Sequence, residues 1–119
     1  MSLNRSAAAL WLVLAAAACS TAGAGKAGAA EVCAPRAGHA LRFVDVFDGA
    51  VVDQAKLVPD VAEERSGQWQ LGYVYDAGRF VTVRCKYADG QAVDVKLAAK
   101  VQACRYRLEA DKALKLFCE

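Results

Sequence analysis

From Trp69 to the C-terminus apolar and polar positions alternate with a period of two, as in strands that bury one face. Trp69, Leu71, Tyr73 and Tyr75 fall on one side of the first run. Val81, Val83, Cys85 and Tyr87 alternate with Thr82, Arg84 and Lys86, and Val93, Val95 and Leu97 alternate with Asp94 and Lys96. Cys104, Tyr106 and Leu108 stand against Arg105 and Arg107, and Leu114, Leu116 and Cys118 against Lys115 and Phe117.

Loop length decides whether these faces match. With Ala88-Asp89-Gly90 as a three-residue loop and Gly90 left-handed, Cys85 pairs with Val93, Val83 with Val95 and Val81 with Leu97. The same device at Asp76-Ala77-Gly78 pairs Tyr73 with Val81, Leu71 with Val83 and Trp69 with Cys85. Both hairpins then share one buried face, with Trp69 beside Cys85.

The first half is less regular. Leu41 to Phe47 reads as a strand entering a turn at Asp48-Gly49. Asp53 to Glu64 reads as one short helix or as a loop interrupted at Pro59, with Leu57, Val58 and Val61 covering one end of the sheet. The expected fold is mainly β. It is a small antiparallel sheet of five to six strands, curled into a half-barrel or sandwich and joined by at most one short helix.

The N-terminus follows another pattern. Arg5 precedes an unbroken apolar run of 12 residues, Ala7 to Ala18, and small residues follow as far as Ala30. That run is too short to span a bilayer and suits the core of a signal peptide. Residues 1–30 are therefore expected to be an export signal, with small Gly28 and Ala30 ahead of the cut, and 31–119 a single domain. The alternative is lipoprotein processing at Cys19, which follows Ala16-Ala17-Ala18 and would tether the domain to an envelope membrane.

With Cys19 removed or acylated, Cys33, Cys85, Cys104 and Cys118 remain. Four cysteines in a small exported domain imply two disulfides, and one His without C-x-x-C pairs argues against zinc. If Cys85 and Cys104 lie on neighbouring strands of one sheet they pair, leaving Cys33 to join Cys118.

The chain has 119 residues, 56% hydrophobic and 24% charged, enough for one core and too little charge for wholesale disorder. Without the first thirty residues, 13 basic residues face 13 acidic ones, which argues against a nucleic-acid binder acting through phosphate neutralisation. His39 is the only histidine and lies in an Ala-Gly-His-Ala stretch that reads as an exposed linker. With no partnered base or nucleophile, no catalytic residue, cofactor or metal is expected. By parity Arg84, Lys86, Arg105 and Arg107 point away from the buried face, so they form the candidate binding stripe for an acidic partner or an anionic lipid surface. The competing reading is ordinary cross-strand charge, balanced by Asp94 and Glu109. Trp69 and Tyr73 to Tyr75 suit a core better than a ligand platform.

Cys33-Ala34-Pro35, Val46-Phe47-Asp48-Gly49, Leu57-Val58-Pro59-Asp60, Trp69, Val83-Arg84-Cys85-Lys86-Tyr87 and Cys104 together resemble a family of short exported bacterial proteins known by a locus-tag label of the STY type. The resemblance implies a periplasmic location and brings no activity or cofactor. Tyr87-Ala88-Asp89-Gly90 to Leu97 is more loosely similar to bacterial inhibitors of C-type lysozyme, small exported β-barrels whose Ser-Gly-x-x-Tyr inhibitory loop is absent here. The expectation is a non-enzymatic, periplasmic binding module for an envelope protein or ligand, touching a membrane only if Cys19 is lipidated. The alternative is an inhibitor of a cell-wall hydrolase.

Overall fold

In the computed structural model, which describes residues 29–119, every strand pairing is antiparallel. The strands are β1 (Ala30–Glu31), β2 (Leu41–Asp48), β3 (Lys56–Leu57), β4 (Val61–Ala62), β5 (Ser66–Gln70), β6 (Val81–Tyr87), β7 (Ala92–Leu97), β8 (Ala103–Leu108) and β9 (Leu114–Cys118). A 3-10 turn covers Val51–Asp53 and one short helix, α1, covers Gly72–Asp76. One sheet has five strands in the order β1-β9-β8-β5-β4, and the other four in the order β3-β2-β6-β7. Their inner faces build one core, in which Val46, Val83 and Cys85 of the second sheet meet Trp69, Cys104 and Leu116 of the first. The mainly β expectation holds, with two antiparallel sheets packed on one core and one short helix.

The β6–β7 hairpin has the expected register, Cys85 opposite Val93, Val83 opposite Val95 and Val81 opposite Leu97. Tyr87 N–H donates to Gln91 and Gly90 turns at φ 82, closing the three-residue loop.

The preceding hairpin does not form. Strand β5 stops at Gln70, and Leu71 and Val74, both fully buried, put helical rather than strand spacing into the core. Tyr73, on the apolar side of the expected strand, is 52% exposed. Gly78, φ 79, ends the helix in the left-handed conformation while Arg79 N–H donates to Val74 C=O. Helix α1 thus carries the chain from one sheet to the other. Trp69 accordingly stands opposite Cys104 of β8, not Cys85.

That crossover also corrects the disulfides. Cys85 and Cys104 lie on different sheets, and the bridges are Cys33–Cys85 and Cys104–Cys118. Cys104 and Cys118 face each other across β8 and β9, next to Ala103 and Glu119, which exchange backbone hydrogen bonds. They therefore occupy a non-hydrogen-bonded pair, where antiparallel side chains approach most closely. Cys33 follows β1, at the edge of the five-stranded sheet, and reaches β6 in the other, so its bridge fastens the two sheets together.

Asp53 to Glu64 contains no helix beyond the end of the 3-10 turn. Leu57 pairs with Val46 in the four-stranded sheet and Val61 with Gln68 in the five-stranded one, so Val58-Pro59-Asp60 is a second crossover. Leu57 is half-buried, but Val58 and Val61 are exposed rather than covering a sheet end. The apolar run at residues 7–18 and Cys19 lie outside the described residues. Ala30, the residue ahead of the expected cut, pairs with Cys118 in β1.

Candidate functional site

The four basic residues read as one stripe divide between the sheets. Arg84 and Lys86 project from β6, and Arg105 and Arg107 from β8, so no single face carries all four. Each meets a carboxylate. Arg84 forks onto Asp94 at 2.8 and 3.1 Å, and Lys86 reaches Asp45 at 2.7 Å. Arg105 contacts Glu119, and Arg107 contacts Glu109 at 3.0 Å. Both carboxylates expected from sequence are in place, Asp94 directly across the β6–β7 ladder from Arg84 and Glu109 two residues beyond Arg107 along the chain. Hydrogen bonding from Arg84 holds the Asp94 carboxyl below its ordinary range, and the same pair raises the Arg84 pKa.

Asp45 differs, because it serves two cations. Lys56 Nζ lies 3.1 Å from one carboxylate oxygen and Lys86 Nζ 2.7 Å from the other. Partial burial pushes the Asp45 pKa up, but the hydrogen bonds and charges of Lys86 and Lys56 outweigh it and leave it lowered. Both lysines stay about half exposed, at 56% and 44%, whereas Asp45 is 17% exposed. They line a shallow hollow of about 530 Å³ on the outer face of the four-stranded sheet, with Arg84 beside them and Val52 of the 3-10 turn at its margin.

A second concavity opens between the sheets on the other side of β3. This cleft, about 390 Å³, is apolar: Val46, Trp69 and Leu114 form its buried floor, and half-buried Val44, Leu57, Tyr106 and Leu108 its walls. Trp69 Nε1–H donates to Leu57 C=O, and its ring packs on Tyr106 at 5.4 Å between centroids. Phe43 and Val58 also line the cleft, yet are 68% and 83% exposed. Phe43 follows a register shift between Leu41 and Phe43 in the β2–β6 ladder, an irregularity that re-aims side chains at a sheet margin. Asp45 and Lys56 border both concavities, making one continuous surface around β3.

Phe43 and Lys56 were not singled out by sequence, and Val58 was expected to cover a sheet end rather than to line a cleft. The signal was a parity slip in β2: Leu41 is buried, Phe43 exposed, and Val44 and Val46 turn inward, so alternation restarts partway along the strand.

His39 is exposed but not part of a free linker. It forms an isolated bridge with Arg36, its Nε2 lies 3.9 Å from Asp89, and Arg36 Nη2 reaches the same carboxylate at 2.7 Å. This cluster ties the 36–39 turn to the β6–β7 loop. The hollow beside it is lined by no Ser or Thr, and its one Cys, Cys33, is disulfide-bonded. Nor do the expected aromatics form a platform. Trp69 is buried on β5, while Tyr73 and Tyr75 belong to α1, where the Tyr75 hydroxyl donates to Leu97 C=O.

The arrangement offers apolar anchors and fixed charge around a sheet edge, which is chemistry for binding. Residues 34–119 match the model of the type VI secretion system Tli immunity protein family. No curated protein and no solved structure matches the chain.

Proposed function

The chain belongs to the type VI secretion system Tli immunity protein family, and from that membership we propose that it binds an effector protein delivered by type VI secretion and holds it inactive. The observation that carries the reading is the extent of the match, which covers residues 34–119 of the described 29–119. Neutralisation of this kind is stoichiometric. It needs a complementary surface and no catalytic group, and we assign none to this chain.

The protein acts outside the cytoplasm. Two disulfides support that location, since such bridges persist in oxidising compartments, as does the signal-like pattern of residues 1–30. Among the described residues no helix is long and apolar enough to cross a membrane. We place the mature domain in the periplasm from Glu31, free of lipid.

The test is co-expression with the effector of the same secretion locus. Cells that export both should grow while cells that export the effector alone should not, and the two proteins should purify together. C-type lysozyme serves as the control and should remain fully active. Growth arrest despite abundant exported protein would refute the reading, and inhibition of lysozyme alone would replace it with the hydrolase-inhibitor alternative.

A further inference from the structure

We infer that the surface around β3 is the docking face for the partner, and that it receives an acidic protein segment. A carboxylate of that segment sits over Lys56 and Lys86, and an adjacent apolar side chain enters the cleft between Phe43 and Val58. The inference rests on the immunity reading for the partner being a protein; the face and its chemistry follow from charge and exposure.

The outer faces of the two sheets differ in charge balance. On the five-stranded sheet Arg105, Arg107 and Lys115 have separate carboxylates in Glu119, Glu109 and Glu31. On the four-stranded sheet Arg84 is matched by Asp94 and Lys96 stands over the Phe80 ring, 4.3 Å from its centroid, but within the β2–β3–β6 cluster Lys56 and Lys86 share Asp45 and occupy both of its oxygens. One positive charge is left over, on two half-exposed ammonium groups held in place by a partly buried anchor. Each ammonium has three donors, so both retain capacity for a second acceptor. An incoming carboxylate would complete the pairing.

The exposed apolar groups gather at the same place. Of the six large apolar side chains exposed among the described residues, Phe43, Val52 and Val58 border the cleft or the basic hollow. Single exposed apolar residues are ordinary, but three around one cleft and one charged cluster have the make-up of an interface centre. Buried Trp69, with half-buried Tyr106 packed on it, gives the cleft a rigid aromatic lining. A second copy of this chain fits poorly, because two-fold pairing at this face would bring the excess charges together.

The experiment measures the affinity of the full, processed chain for the effector. Lys56→Glu with Lys86→Glu should weaken binding about 100-fold or more, and Phe43→Ala or Val58→Ala about 10-fold each. Arg105→Glu with Arg107→Glu should stay within about 3-fold of wild type. Reversing both lysines sets two carboxylates against Asp45, so Lys56→Gln with Lys86→Gln, which loses only the pairing that Asp45→Asn loses, and Phe43→Ala at a largely exposed position serve as variants that should still melt cooperatively as folded protein. Binding by the lysine and Phe43 variants within about 3-fold of wild type would overturn the inference, as would loss confined to the Arg105/Arg107 variant. Anionic vesicles that bind wild type but not the lysine variant, with effector affinity unchanged, would assign the cluster to lipid and also overturn it. Self-association lost in Phe43→Ala, again with effector affinity unchanged, would assign the face to a second copy. Failure of wild type to bind the effector at all would instead defeat the immunity reading itself.

Discussion

Removing each disulfide separately should destabilise the domain by different and calculable amounts. In the chain-entropy model a cross-link stabilises by restricting the unfolded chain, more so for a longer loop. Cys33 and Cys85 are 52 residues apart and Cys104 and Cys118 are 14 apart, which gives about 4 kcal/mol for the first bridge and about 3 kcal/mol for the second. The assay is urea unfolding of Cys33→Ala/Cys85→Ala and Cys104→Ala/Cys118→Ala beside wild type. With a urea slope of about 1.2 kcal/mol/M for a domain this small, the midpoints should fall by about 3.3 M and about 2.5 M. For a domain of ordinary stability the first loss leaves little margin. A third variant, Cys85→Ala/Cys104→Ala, breaks both bridges and leaves Cys33 and Cys118 as two free thiols. If Cys85 were instead joined to Cys104, the same variant would keep a Cys33–Cys118 bridge and show no free thiol. Absence of free thiols in the freshly exported Cys85→Ala/Cys104→Ala variant would refute the connectivity and the two-sheet crossover behind it, and a larger midpoint loss on removing Cys104 and Cys118 would refute the loop-length reasoning.

Gly67→Ala should cost about 2 kcal/mol and lower the melting temperature by about 10 °C, because a Cβ there would overlap the Tyr106 ring and push it off Trp69; an unchanged melt would contradict that packing. Asp45 has a folded pKa below its ordinary 3.8, so its contribution is present in full above that value and is lost as pH falls through the lower folded one. Asp45→Asn should therefore be less stable than wild type at neutral pH and converge with it in acid, and a constant difference across the range would contradict the pairing. Intact mass of the exported protein should correspond to a chain starting at Glu31, and a diacylglyceryl adduct on Cys19 would contradict the periplasmic assignment.

What could be read from sequence was set by how local the determining physics was. The β6–β7 hairpin was legible because a three-residue turn and two alternating runs fix one another without reference to the rest of the chain. Leu71 to Asp76 was not, because Leu71, Tyr73 and Tyr75 satisfy a strand period while Leu71 and Val74 satisfy a helical one. Gly78 serves equally as a hairpin glycine or as a helix terminator, so only the tertiary demand for a crossover separates the two. One wrong period moved Cys85 next to Cys104 and carried the disulfides and the basic stripe with it. Asp94 and Glu109 were recognisable as partners because each lies close in sequence or directly across a hairpin from its arginine. The Lys56–Asp45–Lys86 cluster was out of reach, since it assembles from three strands whose order is not encoded in any one of them.

The central claim is that this domain neutralises an effector by binding it. Titration calorimetry of the processed chain against the effector of its own secretion locus tests this most directly, with loss of the effector's toxic activity followed in the same samples. The account predicts saturable binding, with activity lost in proportion to the fraction bound. Heat without loss of activity, or no heat at all from folded, disulfide-bonded protein, would contradict it.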